Sequence, residues 1–237
     1  MPVVYALVIF IVLIIILSLM RTRLVYELAG TSLLMFGATR PGIIFYSIIF
    51  LPGTIIHELS HWIVAEILQV RTGNITIFPD LDGEEENGST QRLGSVATER
   101  TDPFRGFLIG LAPFISGLAI LAVLGRLLQI GWGGEYLWWQ LGLIIYGIMV
   151  TGNTMMISDS DRRTWPFIII FFLLIIIFLS TYYPTLFLGK TSLINGVLVP
   201  VNQVLGMTAG LNLVMIVGSY GLRRLLEVMT SKRLTRK

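Results

Sequence analysis

The chain contains no cysteine, only two histidines and few charged residues. The missing cysteines exclude disulfides and cysteine-ligated metal sites. Charged residues make up 13% of the 237 residues, whereas soluble domains carry roughly 25%. This deficit, together with a mean hydropathy of +0.80, indicates that most of the chain faces lipid or other apolar helices. The length fits a single membrane domain over 1–237, with no room for a second sizeable one.

Six apolar runs are long enough to cross a bilayer, which takes about 20 residues each. The first run has neither a basic leading segment nor a small-residue cleavage site, which favours a retained anchor over a removed signal peptide. The sequence therefore predicts an all-α polytopic membrane protein with about six transmembrane helices. The predicted spans are 3–20, 42–68, 104–130, 136–157, 166–188 and 194–221.

The polar interval 69–103 predicts a small membrane-associated β-hairpin between the second and third spans. Residues 70–79 alternate in polarity and include β-branched isoleucines, which favour a strand, and 91–99 form a weaker second candidate. Unpaired strand edges are costly in lipid, so the hairpin is expected at the membrane surface or in a wet cavity. An open edge there is able to pair with an extended peptide. The alternative is a structural connector with a solvated acidic tip.

The distribution of Lys and Arg predicts the orientation in the membrane. With six alternating spans, twelve of these residues lie on the side of the N-terminus and five on the other side. This favours an integral protein of the cell membrane with both termini in the cytoplasm, although Arg21 and Arg23 argue for the opposite orientation. The pI near 9.3 then reflects topology, and no nucleic-acid partner is predicted. The oligomeric state is left open.

Both histidines lie in His57-Glu58-Leu59-Ser60-His61, an HExxH motif inside the second predicted span, 42–68. Residues four apart share one face of a helix, so both imidazoles are able to bind one metal ion. Glu58 lies beside them in sequence, where it is suited to act as general base on a metal-bound water. Polar groups inside a membrane are costly and are usually functional. The motif therefore favours a metal site over two structural histidines.

A catalytic zinc typically takes three protein ligands and a water, so the third ligand here must be Asp or Glu. Few carboxylates lie within or beside the spans. Glu66 lies on a different face of the histidine helix, whereas the segment 152–163 follows a later span and contains two aspartates. This segment is the strongest candidate. The carboxylates considered are Glu27, Glu66, Glu135, Asp159 and Asp161.

These features resemble the site-2 protease-like intramembrane metalloproteases, the M50-like family. That family carries HExxH on one span and an Asn-x-x-Pro…Leu-Asp-Gly segment on a later one, in which the Asp follows the Asn by eight residues. Counting eight from Asn153 reaches Asp161, which the resemblance implies as the third ligand, within a span over 136–161. Asp159 is the less favoured alternative. The motif implies that Asn153 binds substrate backbone, and an ordinary interhelical hydrogen bond is the alternative.

The segment 57–68 (HELSHWIVAEIL), Ala112-Pro113 and the order of the elements also resemble the family. The sequence departs from the family pattern at four places, and the resemblance over 40–165 implies a divergent member. Ser60 stands in place of Gly, Ser116 in place of Asn, Met156 in place of Pro, and Ser160-Asp161-Arg162 in place of Leu-Asp-Gly.

The resemblance implies an intramembrane zinc endopeptidase that hydrolyses peptide bonds of a membrane-associated protein substrate. His57, His61 and Asp161 would hold Zn²⁺, and Glu58 would act as general base and then protonate the departing amine. The alternative is a non-catalytic membrane metal-binding protein, either a metal transporter or a substrate-binding scaffold. Few acidic residues line the spans, which counts against transport, and the intact HExxH motif counts against an inactive scaffold. A prenyl-protein protease would need a Glu ligand on a later span, and Glu227 lies beyond the last apolar run.

Overall fold

The computed structural model describes residues 3–76, 95–98, 101–156, 170, 174 and 191–231. Within these ranges the chain forms five long helices, a π-helical turn after the third of them, and one pair of short strands. The helices are α1 (Val3–Phe36), α2 (Arg40–Ile67), α3 (Pro103–Ile130), α4 (Trp138–Thr154) and α5 (Thr191–Thr230); the π-helical turn is Gly131–Glu135, and the strands are β1 (Thr72–Thr76) and β2 (Ser95–Thr98).

Within the described residues, four helical segments are long and apolar enough to cross a membrane, which confirms the class of membrane protein at this level. The predicted fourth span is present as α4, but its 17 residues fall just short of the roughly 20 that a crossing requires. The predicted fifth span, 166–188, lies outside the described residues except for Ile170 and Leu174. A count of six spans is therefore not confirmed. The four segments are Tyr5–Phe36, Arg40–Ile67, Pro103–Glu135 and Leu198–Thr230.

The first helix is much longer than the predicted span 3–20. It has 34 residues, about 51 Å at 1.5 Å per residue. It ends at Gly37, whose φ of 73° is a left-handed conformation that glycine adopts at little cost. The Ser32 hydroxyl donates to the carbonyl of Ala38 and accepts from the amide of Gly42. These bonds close a tight antiparallel hairpin between α1 and α2.

The first and last helices run parallel to each other. The Asn202 side chain donates to the Ala6 carbonyl at 2.8 Å, and Arg223 Nε donates to Glu27 Oε2 at 2.6 Å. From one contact to the other both helices advance by 21 residues, 6 to 27 and 202 to 223. That length is about 32 Å at 1.5 Å per residue, close to the thickness of a bilayer core. Six alternating spans predict an antiparallel arrangement of the first and last helices, so this pairing does not fit that prediction.

The main core lies where α1, α3, α4 and α5 meet. Leu17, Leu121, Ile148 and Leu205 are buried there, one from each of these helices. Small residues bring the helices close together: a Cβ added at Gly152 would lie 2.6 Å from the Thr208 methyl carbon. Close approach at small residues is typical of helix packing in membranes. The core therefore holds α4 against α3 and α5.

The predicted strands are present as β1 and β2, which pair antiparallel with Ile75 opposite Val96. The predicted turn between them, 77–94, lies outside the described residues. Gln69, with a φ of 56°, reverses the chain after α2, and Val70 donates its amide to the Ala65 carbonyl. This turn links the strands directly to the end of the HExxH helix.

Candidate metal centre

The two histidines project from the same face of α2. Their ring centroids lie 4.9 Å apart and the ring planes are nearly perpendicular, at 83°. This follows from the helical spacing, because residues i and i+4 are neighbours on a helix surface. His61 is buried and His57 is partly buried. Both rings therefore lie inside the bundle, where α2 faces α3 and α4.

Each histidine ring is oriented by a backbone carbonyl of a neighbouring helix. His57 Nδ1 lies 2.6 Å from the Thr154 carbonyl oxygen, and His61 Nδ1 lies 2.8 Å from the Ile109 carbonyl oxygen. A carbonyl oxygen only accepts, so Nδ1 is the donor in both rings. The lone pair of each neutral imidazole is then on Nε2, the nitrogen that would bind a metal. Metal-ligating histidines almost always make this kind of second hydrogen bond.

The helical sequence explains why these two carbonyls are available. Residue 113, four residues after Ile109, is a proline inside α3. Proline has no amide hydrogen, so the usual helical donor to the Ile109 carbonyl is missing and His61 takes its place. Thr154 is the last residue of α4, where carbonyls have no intrahelical partner. Both acceptors are thus carbonyls that their own helices leave unsatisfied.

Glu58 lies on α2 between the two histidines and is 5% exposed. A carboxylate in an apolar bundle is costly to retain without a chemical or structural role. Its place in the motif, directly after His57 and three residues before His61, fits the predicted general base. That role stays a prediction.

The third ligand predicted from the sequence lies outside the described residues, as does its alternative. These are Asp161 and Asp159. Within the described part of the chain, no group of three or more His, Cys, Asp or Glu residues is placed to hold a metal ion. Thr154, which contacts His57, precedes Asp161 by seven residues. Seven residues reach up to about 24 Å when extended, so the chain is long enough to bring that carboxylate to the histidines.

A small cavity lies beside His57 between α2, α3 and α4. Pro113 and Gly117 of α3, together with Thr154 of α4, form part of its wall. Glycine permits the close approach of these helices, since a Cβ at Gly117 would collide with Met155 and one at Gly53 would collide with Thr154. The cavity therefore depends on small residues that hold the end of α4 close to the histidine helix.

A hydroxyl pair joins the HExxH segment to α3. Ser60 Oγ lies 2.7 Å from Ser116 Oγ. A hydroxyl has one hydrogen, so one serine donates to the other while its partner donates to a carbonyl of its own helix, Ile56 for Ser60 or Pro113 for Ser116. Ser60 and Ser116 are both positions where the sequence departs from the family pattern. Their contact shows that the two departures are paired in space.

Asn153 forms a reciprocal amide pair with Asn212 of α5. Each side chain donates to the other at 2.9 Å, and Asn153 also donates to the Met149 carbonyl. Both residues are buried, with Asn153 1% exposed and Asn212 fully buried. This is the interhelical hydrogen bond that the sequence left open as the alternative to substrate binding. The predicted contact between Asn153 and substrate would require this pair to open.

Three comparisons with known proteins bear on the identity of the chain. No family model, curated protein or solved structure matches it. The resemblance to site-2 protease-like enzymes thus rests on the motifs themselves.

Sequence reasoning missed the two carbonyl acceptors and the Ser60–Ser116 pair. Every residue carries a carbonyl, so composition gives no indication of which one meets a ring. One usable indication is present: a proline inside a helix exposes the carbonyl four residues before it, which singles out Ile109. Thr154 had no comparable indication, because its role depends on where α4 ends.

Proposed function

We propose that the protein is an intramembrane zinc endopeptidase acting on a membrane-associated polypeptide. The observation that supports this most strongly is the arrangement of the HExxH histidines. Both rings are oriented through Nδ1 by backbone carbonyls at 2.6 and 2.8 Å, and both Nε2 atoms are thereby set up as metal-binding nitrogens. A merely structural histidine pair has no need for the same tautomer in both rings.

His57 and His61 would hold the metal, with Asp161 as the third protein ligand. The donor set of two imidazoles and one carboxylate suits zinc in a catalytic site with one open position. A zinc ion bound there would supply Lewis acidity, activating water and polarising the scissile carbonyl. The two histidines would therefore serve the reaction by binding the metal ion through rings of fixed orientation, and Asp161 would serve it by binding the metal ion through its carboxylate.

Glu58 would move the proton. It would accept a proton from the attacking water at its carboxylate and later donate it to the departing amine, so that the cleaved bond ends as a carboxyl group and an amine. Its burial at 5% exposure keeps competing bulk water away from the carboxylate. The HExxH motif thus combines metal binding and proton transfer on one helix turn.

The β1–β2 pair is the proposed site for holding substrate. A peptide bond inside a helix is inaccessible to hydrolysis, so a helical substrate must unwind into an extended form. β1 begins five residues after α2 ends, at 72 against 67, close in sequence to the histidines. A substrate segment that adds as a strand to this pair would be held extended near the metal centre.

The decisive experiment compares wild-type protein with Glu58→Gln, using the metal content of purified protein and the membrane proteome of expressing cells. Both proteins should carry about one zinc ion per chain. Proteolysis should fall by about 10²–10⁴-fold in Glu58→Gln, the usual contribution of a general base, so substrates should accumulate uncleaved. Glu66→Gln, an exposed carboxylate on the same helix, is the matched control and should change neither quantity.

Three results would contradict the proposal. Proteolysis at the wild-type rate in Glu58→Gln would remove Glu58 from the mechanism. Absence of zinc from the wild-type protein would remove the metal centre. Zinc binding without any cleavage difference between wild type and Glu58→Gln would favour the non-catalytic metal-binding alternative.

A further inference from the structure

The parallel arrangement of α1 and α5 changes which charged residues share one side of the membrane. The bundle has two halves. The arginine half contains the end of α1, the start of α2, the end of α3 and the end of α5. The hairpin half contains the end of α2, the strands β1 and β2, the start of α3 and the end of α4.

Arginines are concentrated in the arginine half. Among the residues that the structure describes, six arginines belong to this half and two to the hairpin half. Outside the described residues, four further basic residues follow α5 in the sequence, within 232–237, and three lie between α4 and α5, namely Arg162, Arg163 and Lys190. The six are Arg21, Arg23, Arg40, Arg126, Arg223 and Arg224, and the two are Arg71 and Arg105.

An ion-pair network shows that this concentration is built into the helix packing. Glu27 is fully buried and pairs with both Arg23 of its own helix and Arg223 of α5. Arg223 also pairs with Glu227 at 2.6 Å. This network fixes the second half of α1 beside the second half of α5. Arg21 and Arg23 argued against the orientation predicted from six spans, and here they belong to the same side as the basic end of α5.

The sequence between the end of α2 and the start of α3, whose described residues belong to the hairpin half, is acidic. The interval 69–103 contains seven acidic residues and three arginines, a net charge of 3 − 7 = −4. The cytoplasmic leaflet is anionic and attracts basic segments, and it repels an acidic one. The positive-inside rule likewise assigns the side richer in Lys and Arg to the cytoplasm. Both arguments assign the arginine half to the cytoplasm.

The candidate metal centre belongs to the hairpin half. His61 lies six residues before the last residue of α2, at 61 against 67, and His57 contacts Thr154 at the end of α4. We therefore infer that the metal centre opens toward the extracytoplasmic face, so that its substrates are membrane proteins with the scissile segment near that face. This inference rests on the proposed function for its substrate class, but its orientation can be tested without any activity.

The absence of cysteine makes the test clean, because a single introduced cysteine is the only thiol in the chain. Gly73→Cys, in β1, marks the hairpin half, and Gly133→Cys, in the turn after α3, marks the arginine half. Both positions are exposed, and a Cβ at Gly133 meets nothing within 4 Å. Cells expressing each full-length variant would be treated with a membrane-impermeant maleimide, intact and after permeabilisation, and the zinc content of each variant would be compared with wild type.

We expect Gly73→Cys to react in intact cells and Gly133→Cys to react only after permeabilisation. The reverse pattern, or equal reaction of both positions from one side, would overturn the inference. In the proteome comparison, termini released by wild type and absent from Glu58→Gln should map to extracytoplasmic juxtamembrane segments. The expected labelling pattern without any cleavage would reject the protease function and keep the orientation. Cleavage together with the reversed labelling pattern would keep the protease function and reject the orientation.

Discussion

At the scale of single residues, the candidate metal centre is distinguished by hydrogen bonds that orient the two histidine rings. The Thr154 and Ile109 carbonyls accept from Nδ1 of the two histidines. This costs the histidines nothing in metal binding, because Nε2 is the nitrogen that would be used. It also removes a ring rotation that metal binding would otherwise have to suppress. The two rings are therefore held in one orientation by the protein alone.

The third ligand gives the first prediction at this scale. Asp161→Ala should reduce zinc content to well below one ion per chain, because two imidazoles alone leave the site short of the usual three protein ligands. Asp159→Ala, two residues away, should keep the zinc. Metal analysis of the purified variants distinguishes them. The reverse pattern would assign the ligand to Asp159, and loss in neither would place the third ligand elsewhere.

The buried amide pair gives a second prediction. Asn153→Leu or Asn212→Leu alone leaves the partner amide buried without its hydrogen bond, which should lower the free energy of unfolding by about 1–3 kcal/mol. The double variant Asn153→Leu with Asn212→Leu should cost less than the sum of the two single changes. Unfolding of purified protein in detergent measures this coupling. Additive losses would show that the pair contributes no interaction energy.

The same double variant separates the two roles considered for Asn153. If the amide only joins α4 to α5, the Leu pair should keep proteolysis near the wild-type rate once the protein is folded. If Asn153 also binds substrate backbone, the apparent KM should rise while zinc content stays unchanged. Kinetics on the folded, zinc-loaded variant decide between these outcomes.

At the scale of elements, the site depends on how three helices end or are interrupted. α4 ends at Thr154 and α3 contains Pro113, and each feature exposes one carbonyl to one histidine. Small residues at Gly53 and Gly117 allow α4 to approach α2 and α3 closely enough for these contacts. An internal proline and a helix end thus supply the two carbonyl oxygens that accept hydrogen bonds from the histidines.

Pro113 provides the prediction at this scale. Pro113→Ala restores an amide hydrogen that would compete with His61 for the Ile109 carbonyl, so zinc affinity should fall by about 10–100-fold, as for other second hydrogen bonds to metal ligands. Helix stability should not fall, since proline inside a helix costs about 3 kcal/mol. Zinc titration and thermal unfolding would both be measured. Lower stability together with weaker zinc binding would point to general damage to the fold.

Pro200→Ala is the matched control for this change. Pro200 also lies inside a helix, α5, but its substitution changes no carbonyl that contacts a histidine. It should leave zinc affinity unchanged. An equal fall in affinity for both proline variants would contradict the competition with His61.

At the scale of the whole molecule, one ion-pair network connects the first and last helices. Glu27 is fully buried and Arg223 is 7% exposed, while the partners lie 196 residues apart in sequence. Tyr26 contributes as well, because the Arg223 guanidinium lies over its ring. A buried pair of this kind adds little to stability over an apolar one, but it is expensive to break. It is also suited to specify which helices pair, and in which direction.

Removing one member of this network should therefore be severe. Glu27→Ala should lower the free energy of unfolding by about 3–5 kcal/mol, because it leaves a buried guanidinium without its main partner. Arg105→Ala, which removes a half-exposed pair with Asp102, should cost only about 0–1 kcal/mol. Unfolding in detergent compares the two variants. Similar losses for both would contradict a structural role for the buried network.

The sequence alone determined the class of the molecule and the content of its candidate site. Apolar runs, the paired strands and the spacing of His57 and His61 all follow from local periodicity, which depends on neighbouring residues only. These predictions needed no knowledge of which helices touch. For the same reason, the length of α1 was underestimated. The helix continues through Arg21 and Arg23, and the charge of Arg23 is compensated by Glu27, which also pairs with Arg223 of α5.

Only the tertiary structure decided which atoms orient the histidine rings and in which relative direction the first and last helices run. His57 meets Thr154 across 97 residues, and Glu27 meets Arg223 across 196. Counting charges along the chain assumes that successive spans alternate, so it assigned the end of α5 to the side on which the chain begins. The parallel packing of α1 and α5 instead brings the end of α5 beside the end of α1. The physical reason for this difference is that long-range packing, and not the order of apolar runs, determines which helix ends lie together.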